Sequence, residues 1–178
     1  MHNPETEIAG AGDTLVQGAL IELFDAYGVI LDPVVRVWPP YLLTLDQVVA
    51  TIDFIRDTAD ANSERTGRVT LSMPRCVFAL VTTDEIRHAR SDDWARELVN
   101  QLIGRIKNRL LQLGVAVRIG LPSNVMAISL SGPATPRVYA GRTAQGDVLV
   151  LVEGLPHDAE LACAVAQDLA LEGDLILF

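Results

Sequence analysis

The chain has 178 residues, of which 49% are hydrophobic and only 5% aromatic, so we expect one domain-sized core built mainly from aliphatic side chains. Its formal charge of −9 argues against a protein that wraps nucleic acid or coats an anionic membrane surface. No apolar run approaches the roughly 20 residues that span a bilayer, and the acidic N-terminus lacks the features of a secretory signal, so we expect a cytoplasmic protein.

The first half of the sequence predicts one helix followed by short extended segments. Residues 1–13 carry no regular pattern and are expected to be flexible. Thr14 and Gln17 then have the form of a capping box, apolar residues continue at helical spacing, and Gly28 is a typical helix stop. Four extended segments and one proline-initiated helical segment come next, at residues 34–38, 41–45, 48–56, 68–73 and 74–80. The third and fourth extended segments are expected to pair through a hairpin connection.

The second half begins with the longest helical pattern in the chain, over residues 92–113, and Gly114 is expected to end it. Pro122, Ser123 and Asn124 are expected to form a turn. Strands are predicted at residues 115–121, 125–130, 137–142 and 148–152, and the last two are expected to pair through a hairpin at residues 145–147. A last helix and an extended end are predicted at residues 158–171 and 175–178. Helices mixed with sequential strands imply an α+β domain with a two-layer or sandwich-like architecture.

Histidine and cysteine offer no convincing reactive site. His2, His88 and His157 are separated in sequence and lack the spacing of metal ligands. Cys76 and Cys163 lie far apart in apolar surroundings, so both are expected to be reduced core thiols. The functional argument therefore rests on the long helix.

The long helix has two chemically distinct faces. A turn of about 100° per residue brings four positions onto one arc: Asp93, Glu97, Asn100 and Gly104. The opposite arc is apolar and is expected to face the core, with Ala95, Leu98, Val99, Leu102, Ile103, Ile106, Leu110 and Leu113. A carboxylate and a carboxamide thus lie about one turn apart, facing water, beside a glycine that leaves the backbone bare. A partner could approach this patch closely.

This pattern resembles the CheC/CheX/FliY family of chemotaxis phosphatases. That family carries Asp or Ser, three residues, Glu, two residues and Asn, usually followed by a glycine and a lysine. Here the corresponding residues are Asp93, Glu97, Asn100, Gly104 and Lys107. The strand and turn that reach Leu-Pro at residues 121–122 are also similar, and the resemblance extends over residues 67–130. The motif occurs once, which makes the chain more similar to CheX than to the two-site CheC type.

The resemblance implies a single CheX-like domain over residues 14–155, with a mostly antiparallel sheet packed against long helices. Residues 156–178 are then expected to be a C-terminal extension packed on the same domain. The implied activity is that of a phosphoaspartate phosphatase, a hydrolase that acts on a phosphorylated CheY-like response regulator in chemotaxis or another two-component signalling pathway. It implies no cofactor for this chain, because the Mg²⁺ ion belongs to the regulator.

The resemblance also implies roles for the motif residues. Asn100 is expected to orient the attacking water beside the phosphoryl group, and Glu97 to pair with the regulator's active-site lysine. Gly104 would let the two backbones approach, and Asp93 and Lys107 are expected to contact the partner. The family often pairs subunits through sheet edges, so a homodimer is physically reasonable.

Two alternatives stay open at the level of sequence. Glu97 and Asn100 also fit an ordinary solvated helix face, and an aspartate such as Asp93 near a helix start is favourable to the macrodipole of any helix. The whole domain also fits a non-catalytic docking or dimerisation module that keeps the fold and binds a signalling partner. The catalytic interpretation requires that Glu97 and Asn100 both reach solvent.

Overall fold

Two long helices cover one face of an antiparallel sheet. The computed structural model describes residues 10–37, 47–56, 65–82, 91–124, 136–158 and 160–161. Within these ranges the aliphatic side chains of both helices and of one sheet face form a single buried cluster, where they are removed from water. The arrangement confirms the predicted α+β fold with an antiparallel sheet packed against long helices.

The described part of the chain runs through one helix, three strands, a short helix, the long helix and three further strands. The bounds are α1 Ala11–Asp25, β1 Val34–Val37, β2 Gln47–Arg56, β3 Arg65–Pro74, α2 Arg75–Phe78 with a 3-10 turn Ala79–Val81, α3 Ser91–Gln112, β4 Val117–Asn124, β5 Arg137–Thr143 and β6 Gly146–Glu153. The long helix is therefore where the apolar periodicity predicted it.

The strands form one sheet, whose order among the described residues is β1-β5-β6-β3-β2-β4. Every neighbouring pair is antiparallel. The predicted pairing of β2 with β3 is confirmed, in a register from Gln47 opposite Pro74 to Arg56 opposite Arg65. β5 and β6 form the predicted hairpin, with two residues between them. β1 and β4 are the edge strands of the described sheet.

Alternation along β2 decides which side chains support α3. Ala50, Ile52 and Phe54 are buried in the cluster beneath the helices. Thr51 points to the opposite face, where its hydroxyl donates a hydrogen bond to the Val69 carbonyl at 3.1 Å. α3 packs on β2, β3 and β4, whereas α1 packs on β1, β5 and α3. Each helix therefore covers its own half of the sheet.

The start of α1 differs from the prediction. The helix begins at Ala11, three residues before Thr14, because the Asp13 carboxylate accepts a hydrogen bond from the Gly10 N–H at 3.4 Å. Thr14 lies inside the helix, and its hydroxyl donates to the Gly10 carbonyl at 3.2 Å. The capping box predicted from Thr14 and Gln17 is therefore wrong. Residues 1–9 of the predicted flexible segment lie outside the described residues.

Asp13 also ties α1 to the sheet. Its Oδ1 accepts a hydrogen bond from the Tyr139 hydroxyl at 2.7 Å, and its Oδ2 lies 3.4 Å from Arg36 Nη1. Burial, and then the hydrogen bond to Asp13, raise the pKa of Tyr139 well above its ordinary value. Arg137 Nη1 lies 3.8 Å from Asp13 and 3.8 Å from Asp158. A charged network thus holds the first turn of α1 on β1 and β5.

β4 continues through the predicted turn. Ile52 is paired with Pro122 and Thr51 with Ser123, so residues 122–124 belong to the strand and the predicted turn is wrong. Proline is tolerated there because β4 lies at the sheet edge, where a missing N–H leaves no ladder bond unmade. A register shift between Ile52 and Phe54 accommodates the preceding residues of β4. The strand predicted at residues 125–130 lies outside the described residues.

Both predicted helix stops are confirmed. Gly28 and Gly114 have φ values of 69° and 74°, a left-handed conformation that glycine adopts without steric cost. After α3, the Gly114 N–H donates to the Leu111 carbonyl at 3.0 Å and the Val115 N–H donates to the Leu110 carbonyl at 2.9 Å. The helix therefore ends sharply, and the chain turns directly into β4.

The prediction of a buried thiol is wrong for Cys76. Its side chain is free and exposed on α2, where Sγ donates to the Gln145 carbonyl at 3.3 Å. The short helix has only one inward face, and Val77 and Phe78 occupy it. Cys163 lies outside the described residues.

Acidic side chains attach the start of the C-terminal segment to the rest of the domain. Glu160 accepts hydrogen bonds from Arg56 at 2.7 Å and from Arg65 at 3.2 Å. Asp158 accepts a hydrogen bond from the Gly12 N–H at 2.9 Å. The hydrogen bond from Arg56 holds the pKa of the Glu160 carboxyl below its ordinary value. These contacts join the segment to both α1 and the β2–β3 pair.

Other predicted segments, at residues 41–45 and beyond residue 161, lie outside the described residues. Among the helices that the structure describes, none combines the length and the apolar character needed to cross a membrane.

Replacing Gly67 by alanine should lower the free energy of unfolding by about 1–3 kcal/mol. A Cβ atom at Gly67 would lie 2.6 Å from the Glu153 carbonyl oxygen and closer still to the Phe54 ring, so β3 would have to shift. Gly104→Ala is the matched control: a Cβ there meets nothing within 4 Å. Because alanine favours a helix, this control should gain about 0.5–1 kcal/mol. Denaturant unfolding measures both, and equal effects would contradict the packing at β3.

Replacing Glu160 by glutamine should flatten the acid side of the stability profile. Because folding lowers the pKa of Glu160, its carboxylate stabilises the folded chain fully above the ordinary value of 4.5, and this contribution disappears as the pH falls through the folded pKa. The unfolding midpoints of wild type and Glu160→Gln should therefore differ at neutral pH and converge once the pH has fallen below the folded pKa of Glu160. A difference that does not change with pH would contradict the ion pairs with Arg56 and Arg65.

Candidate functional site

The apolar face of α3 is buried as predicted. The side chains of its middle turns are fully inaccessible to solvent: Leu98, Val99, Leu102, Ile103 and Ile106. Ala95 and Leu110 extend the same face at 3% and 1% exposure, and Leu113 is half-buried against the cluster. Burial of this face sets the rotation of the helix, and the arc opposite to it must therefore face outward.

That outward arc carries the polar stripe, which we define as Asp93, Glu97, Asn100, Gly104 and Lys107. Asp93, Glu97 and Asn100 are exposed, and Gly104 and Lys107 are half-buried. All five lie on one helix, so the backbone of α3 fixes their spacing, and about one turn separates Glu97 from Asn100. The structure thus places the five predicted site residues together.

Two further side chains hold the Glu97 carboxylate, Gln101 directly and Tyr27 through Gln101. Gln101 Nε2 donates a hydrogen bond to Glu97 Oε1 at 3.0 Å. The Gln101 Oε1 atom in turn accepts a hydrogen bond from the Tyr27 hydroxyl at 2.9 Å. Tyr27 belongs to the turn after α1, so a residue remote in sequence contributes to the stripe.

Tyr27 is fixed by its aromatic neighbour. Its ring contacts that of Trp94 edge to face, with the centroids 5.8 Å apart and the planes at 85°. Trp94 Nε1 donates to the Val81 carbonyl at 3.1 Å. The half-buried Trp94 also packs against the main cluster and is thereby anchored itself.

Asn100 and Gly104 form the open part of the stripe. The Asn100 carboxamide makes no hydrogen bond with another described residue, so its oxygen and its amide group are both available to a partner. A Cβ atom built on Gly104 meets nothing within 4 Å. One turn beyond Asn100 the helix therefore presents bare backbone to the solvent.

Charged residues lie at both ends of the stripe and beside it. The Asp93 carboxylate accepts a hydrogen bond from the guanidinium of Arg96, so it is already engaged within the chain. Arg109 Nη2 lies 2.6 Å from Glu22 Oε1 and connects α3 to α1. Lys107 forms no ion pair with the other described residues. Of the two charged residues predicted for partner binding, Lys107 is therefore the more available.

Sequence reasoning singled out Glu97 and Asn100, noted Gln101 beside them without assigning it a role, and missed Tyr27. Gln101 lies four residues from Glu97, a spacing that predicts contact on a helix, so its role could have been identified from that spacing. The role of Tyr27 could not, because its apolar spacing with α1 predicts a core position. No group of three His, Cys, Asp or Glu side chains suited to a metal ion lies within the described ranges.

The arrangement offers an exposed carboxylate of fixed direction and an exposed carboxamide of free orientation. The first can receive a cationic group, and the second can both donate and accept hydrogen bonds to a small polar molecule. Neither group is enclosed, because both stand on a convex helix. A reaction on this surface would therefore need the walls of a pocket supplied by another molecule.

Comparisons with known proteins show which solved structures share this fold. No protein-family model matches the chain, and no curated protein matches its sequence. Solved structures do match it: a CheC-like superfamily protein from Shewanella sp. PV-4 is 14% identical over 80% of this chain and 96% of its own, with a TM-score of 0.65. The chemotaxis protein CheX from Vibrio vulnificus is 11% identical over 83% and 99%, with a TM-score of 0.63.

A third match is a complex. The structure of CheX with CheY, BeF₃ and Mg²⁺ from Borrelia burgdorferi matches with 11% identity over 80% of this chain and 96% of the matched chain, at a TM-score of 0.53. Nearly the whole length of each of these proteins is covered. At these identities the comparisons show a shared fold, and they agree with the resemblance seen in the sequence.

Asn100→Ala and Glu97→Ala should each change the free energy of unfolding by less than about 0.5 kcal/mol, because both side chains face solvent. Leu102→Ala on the buried face is the contrasting variant and should lose about 2–5 kcal/mol. Denaturant unfolding of the three variants tests the orientation of α3. A large loss for Asn100→Ala would show that this side chain supports the fold.

Proposed function

Because this chain has the fold of CheC-like and CheX chemotaxis proteins, we propose that it is a phosphatase for the aspartyl phosphate of a CheY-like response regulator. One observation carries the proposal: Glu97 and Asn100 lie exposed one turn apart on a rigid helix, the first held in position and the second unengaged. A surface of this kind can enter a pocket that another protein provides. The proposed activity is that of a hydrolase in the cytoplasm, within a chemotaxis or related two-component pathway.

The partner class is supported by the complex from Borrelia burgdorferi, in which CheX is bound to CheY with BeF₃ and Mg²⁺. We extend the same class of partner to this chain, in its phosphorylated state. In the proposed complex the Mg²⁺ ion stays in the regulator's own pocket. This chain then contributes side chains to the reaction and no metal ligand.

The proposed reaction is an in-line displacement at phosphorus. The oxygen of a water molecule attacks the phosphoryl group, the bond between phosphorus and the aspartyl oxygen breaks, and inorganic phosphate and a free carboxylate result. Phosphoryl transfer demands mainly positioning of the attacking oxygen and stabilisation of charge. Asn100 would supply the positioning: its carboxamide oxygen accepts a hydrogen bond from the water and sets its direction of attack. Being neutral, it does not repel the phosphate.

Glu97 would fix the relative position of the two proteins in the complex. An ion pair between its carboxylate and the regulator's active-site lysine would place Asn100, one turn away, beside the phosphoryl group. The carboxylate has two oxygens, and Gln101 occupies Oε1. The remaining oxygen is available for the lysine.

The rest of the stripe suits a close approach. Gly104 leaves room for the regulator's backbone, since nothing lies within 4 Å of the place of a Cβ atom. Lys107 adds an ammonium group toward an anionic pocket, and Asp93 with Arg96 forms the opposite border. Homodimerisation is a separate part of the proposal. The edge strands β1 and β4 could pair with a second copy, and the site does not need one because its residues lie on a single helix.

The decisive experiment follows the loss of phosphate from purified receiver domains of the same organism, phosphorylated with a small-molecule donor in the presence of Mg²⁺. Wild-type chain should accelerate hydrolysis for at least one receiver. Asn100→Ala should reduce that acceleration by about a hundredfold or more, because the water loses its orienting group. Glu97→Ala should weaken binding to the beryllofluoride-loaded receiver by roughly tenfold or more, because the ion pair is lost.

Asn108→Ala is the matched control, since Asn108 is an exposed carboxamide two turns further along α3, outside the stripe. It should hydrolyse like wild type. Binding without accelerated hydrolysis would support the non-catalytic docking module instead. Acceleration that survives Asn100→Ala would refute the assigned chemistry. If the chain neither binds any receiver nor accelerates its hydrolysis, the proposed function as a whole is refuted.

A further inference from the structure

We propose that Tyr27 is a positioning residue for Glu97 and that it acts through Gln101. The catalytic consequence of this inference rests on the proposed function, whereas its structural part concerns the chain alone. Three side chains carry it: Tyr27 in the turn after α1, and Gln101 and Glu97 on α3. The hydrogen bonds that join them measure 2.9 Å and 3.0 Å.

The direction of these hydrogen bonds follows from the chemistry of the last acceptor. An ionised carboxylate can only accept, so the Gln101 amide must turn its Nε2 group toward Glu97. Its Oε1 atom then faces Tyr27, and the Tyr27 hydroxyl must donate. Each hydrogen bond selects the orientation of the next, and a flipped Gln101 amide would turn its oxygen toward the Glu97 carboxylate and lose that hydrogen bond.

The first donor of this relay is itself fixed. The Tyr27 ring rests edge to face on Trp94, and the Tyr27 backbone N–H donates to the Phe24 carbonyl at 3.0 Å in the turn that Gly28 completes. The donor end of the relay is therefore held by the turn after α1 and by Trp94, and the Glu97 end faces solvent.

Positioning matters because Glu97 is exposed. A free glutamate samples several rotamers, and selecting one of them on binding costs conformational entropy. The hydrogen bond from Gln101 restricts this sampling before the partner arrives. The lone pairs of the second carboxylate oxygen stay open to a cation. The relay should therefore affect the binding step and leave the chemical step at Asn100 unchanged.

Tyr27→Phe tests the relay directly, because it keeps the ring and its contact with Trp94 and removes only the hydroxyl. In the hydrolysis assay, the KM for the phosphorylated receiver should rise about threefold to tenfold, with kcat unchanged within twofold. Gln101→Met, which retains the length of the side chain without its amide, should likewise raise KM and leave kcat unchanged. An equal loss of kcat, or an unchanged KM in both variants, would overturn the inference.

Two controls separate positioning from general destabilisation. Tyr139→Phe removes a tyrosine hydroxyl at the other end of α1, where the acceptor is Asp13, and should lower stability without raising KM. In a Glu97→Ala background, Tyr27→Phe should add no further change in KM, because the group that it positions is gone. Additive effects of Tyr27→Phe and Glu97→Ala would show that Tyr27 acts independently of Glu97.

A measurement on the isolated chain keeps the inference separate from the proposed function. In the ¹⁵N-labelled full chain, the side-chain amide resonances of Gln101 should shift on Glu97→Ala and also on Tyr27→Phe. They should stay in place in Tyr139→Phe. If Tyr27→Phe leaves the Gln101 resonances unchanged, the relay does not exist, whatever the receivers do. If the Gln101 resonances shift as expected but the chain binds none of the receivers, the relay stands and the proposed function fails.

Discussion

The burial of one face of α3 is the constraint on which the rest of the molecule depends. Five aliphatic side chains of that helix are fully buried against β2, β3, β4 and α1. At about 1.5–3 kcal/mol for each buried Leu, Ile or Val side chain, this face outweighs any single polar contact, which is worth about 1 kcal/mol. The helix therefore cannot rotate to hide its polar stripe, and the exposure of Glu97 and Asn100 follows from packing on the far side.

Stability and the proposed function are thus assigned to opposite faces of the same element. The buried face fixes position, and the exposed stripe contributes little to the fold. This division explains how Gly104, a residue that weakens a helix, is accommodated in the middle of α3. The aliphatic face compensates for it, and the gap above its Cα leaves a surface that another protein can approach.

The stripe is nevertheless not a set of independent side chains. Tyr27 is brought to it because α1 packs on α3. The Arg109–Glu22 ion pair connects the same two helices near the C-terminal end of each. The packing of α1 on α3 therefore determines whether the Tyr27 hydroxyl reaches Gln101.

Periodicity identified the long helix, its stop at Gly114, the hairpins and the two faces of α3, because these features depend on neighbours within a few residues. It failed at residues 122–124, where a partner distant in sequence decides the outcome, and at the start of α1, where Asp13 accepts the Gly10 N–H and the helix begins at Ala11. Pro122 is a typical turn residue until β2 pairs with it at a sheet edge. The first turn of α1 is stabilised by Tyr139, 126 residues away from Asp13.

The sequence by itself determined that a carboxylate and a carboxamide stand one turn apart on the polar side of a helix, since the pitch of a helix is a local property. It also indicated a resemblance to the CheC/CheX/FliY family, and the structural comparisons agree with that resemblance at the level of the fold. Only the tertiary structure decided that Glu97 and Asn100 are exposed, and that the Tyr27 hydroxyl reaches the Gln101 side chain. The physical reason is that burial and cross-element hydrogen bonds arise when α1 and α3 pack together, and no spacing along the chain encodes that contact.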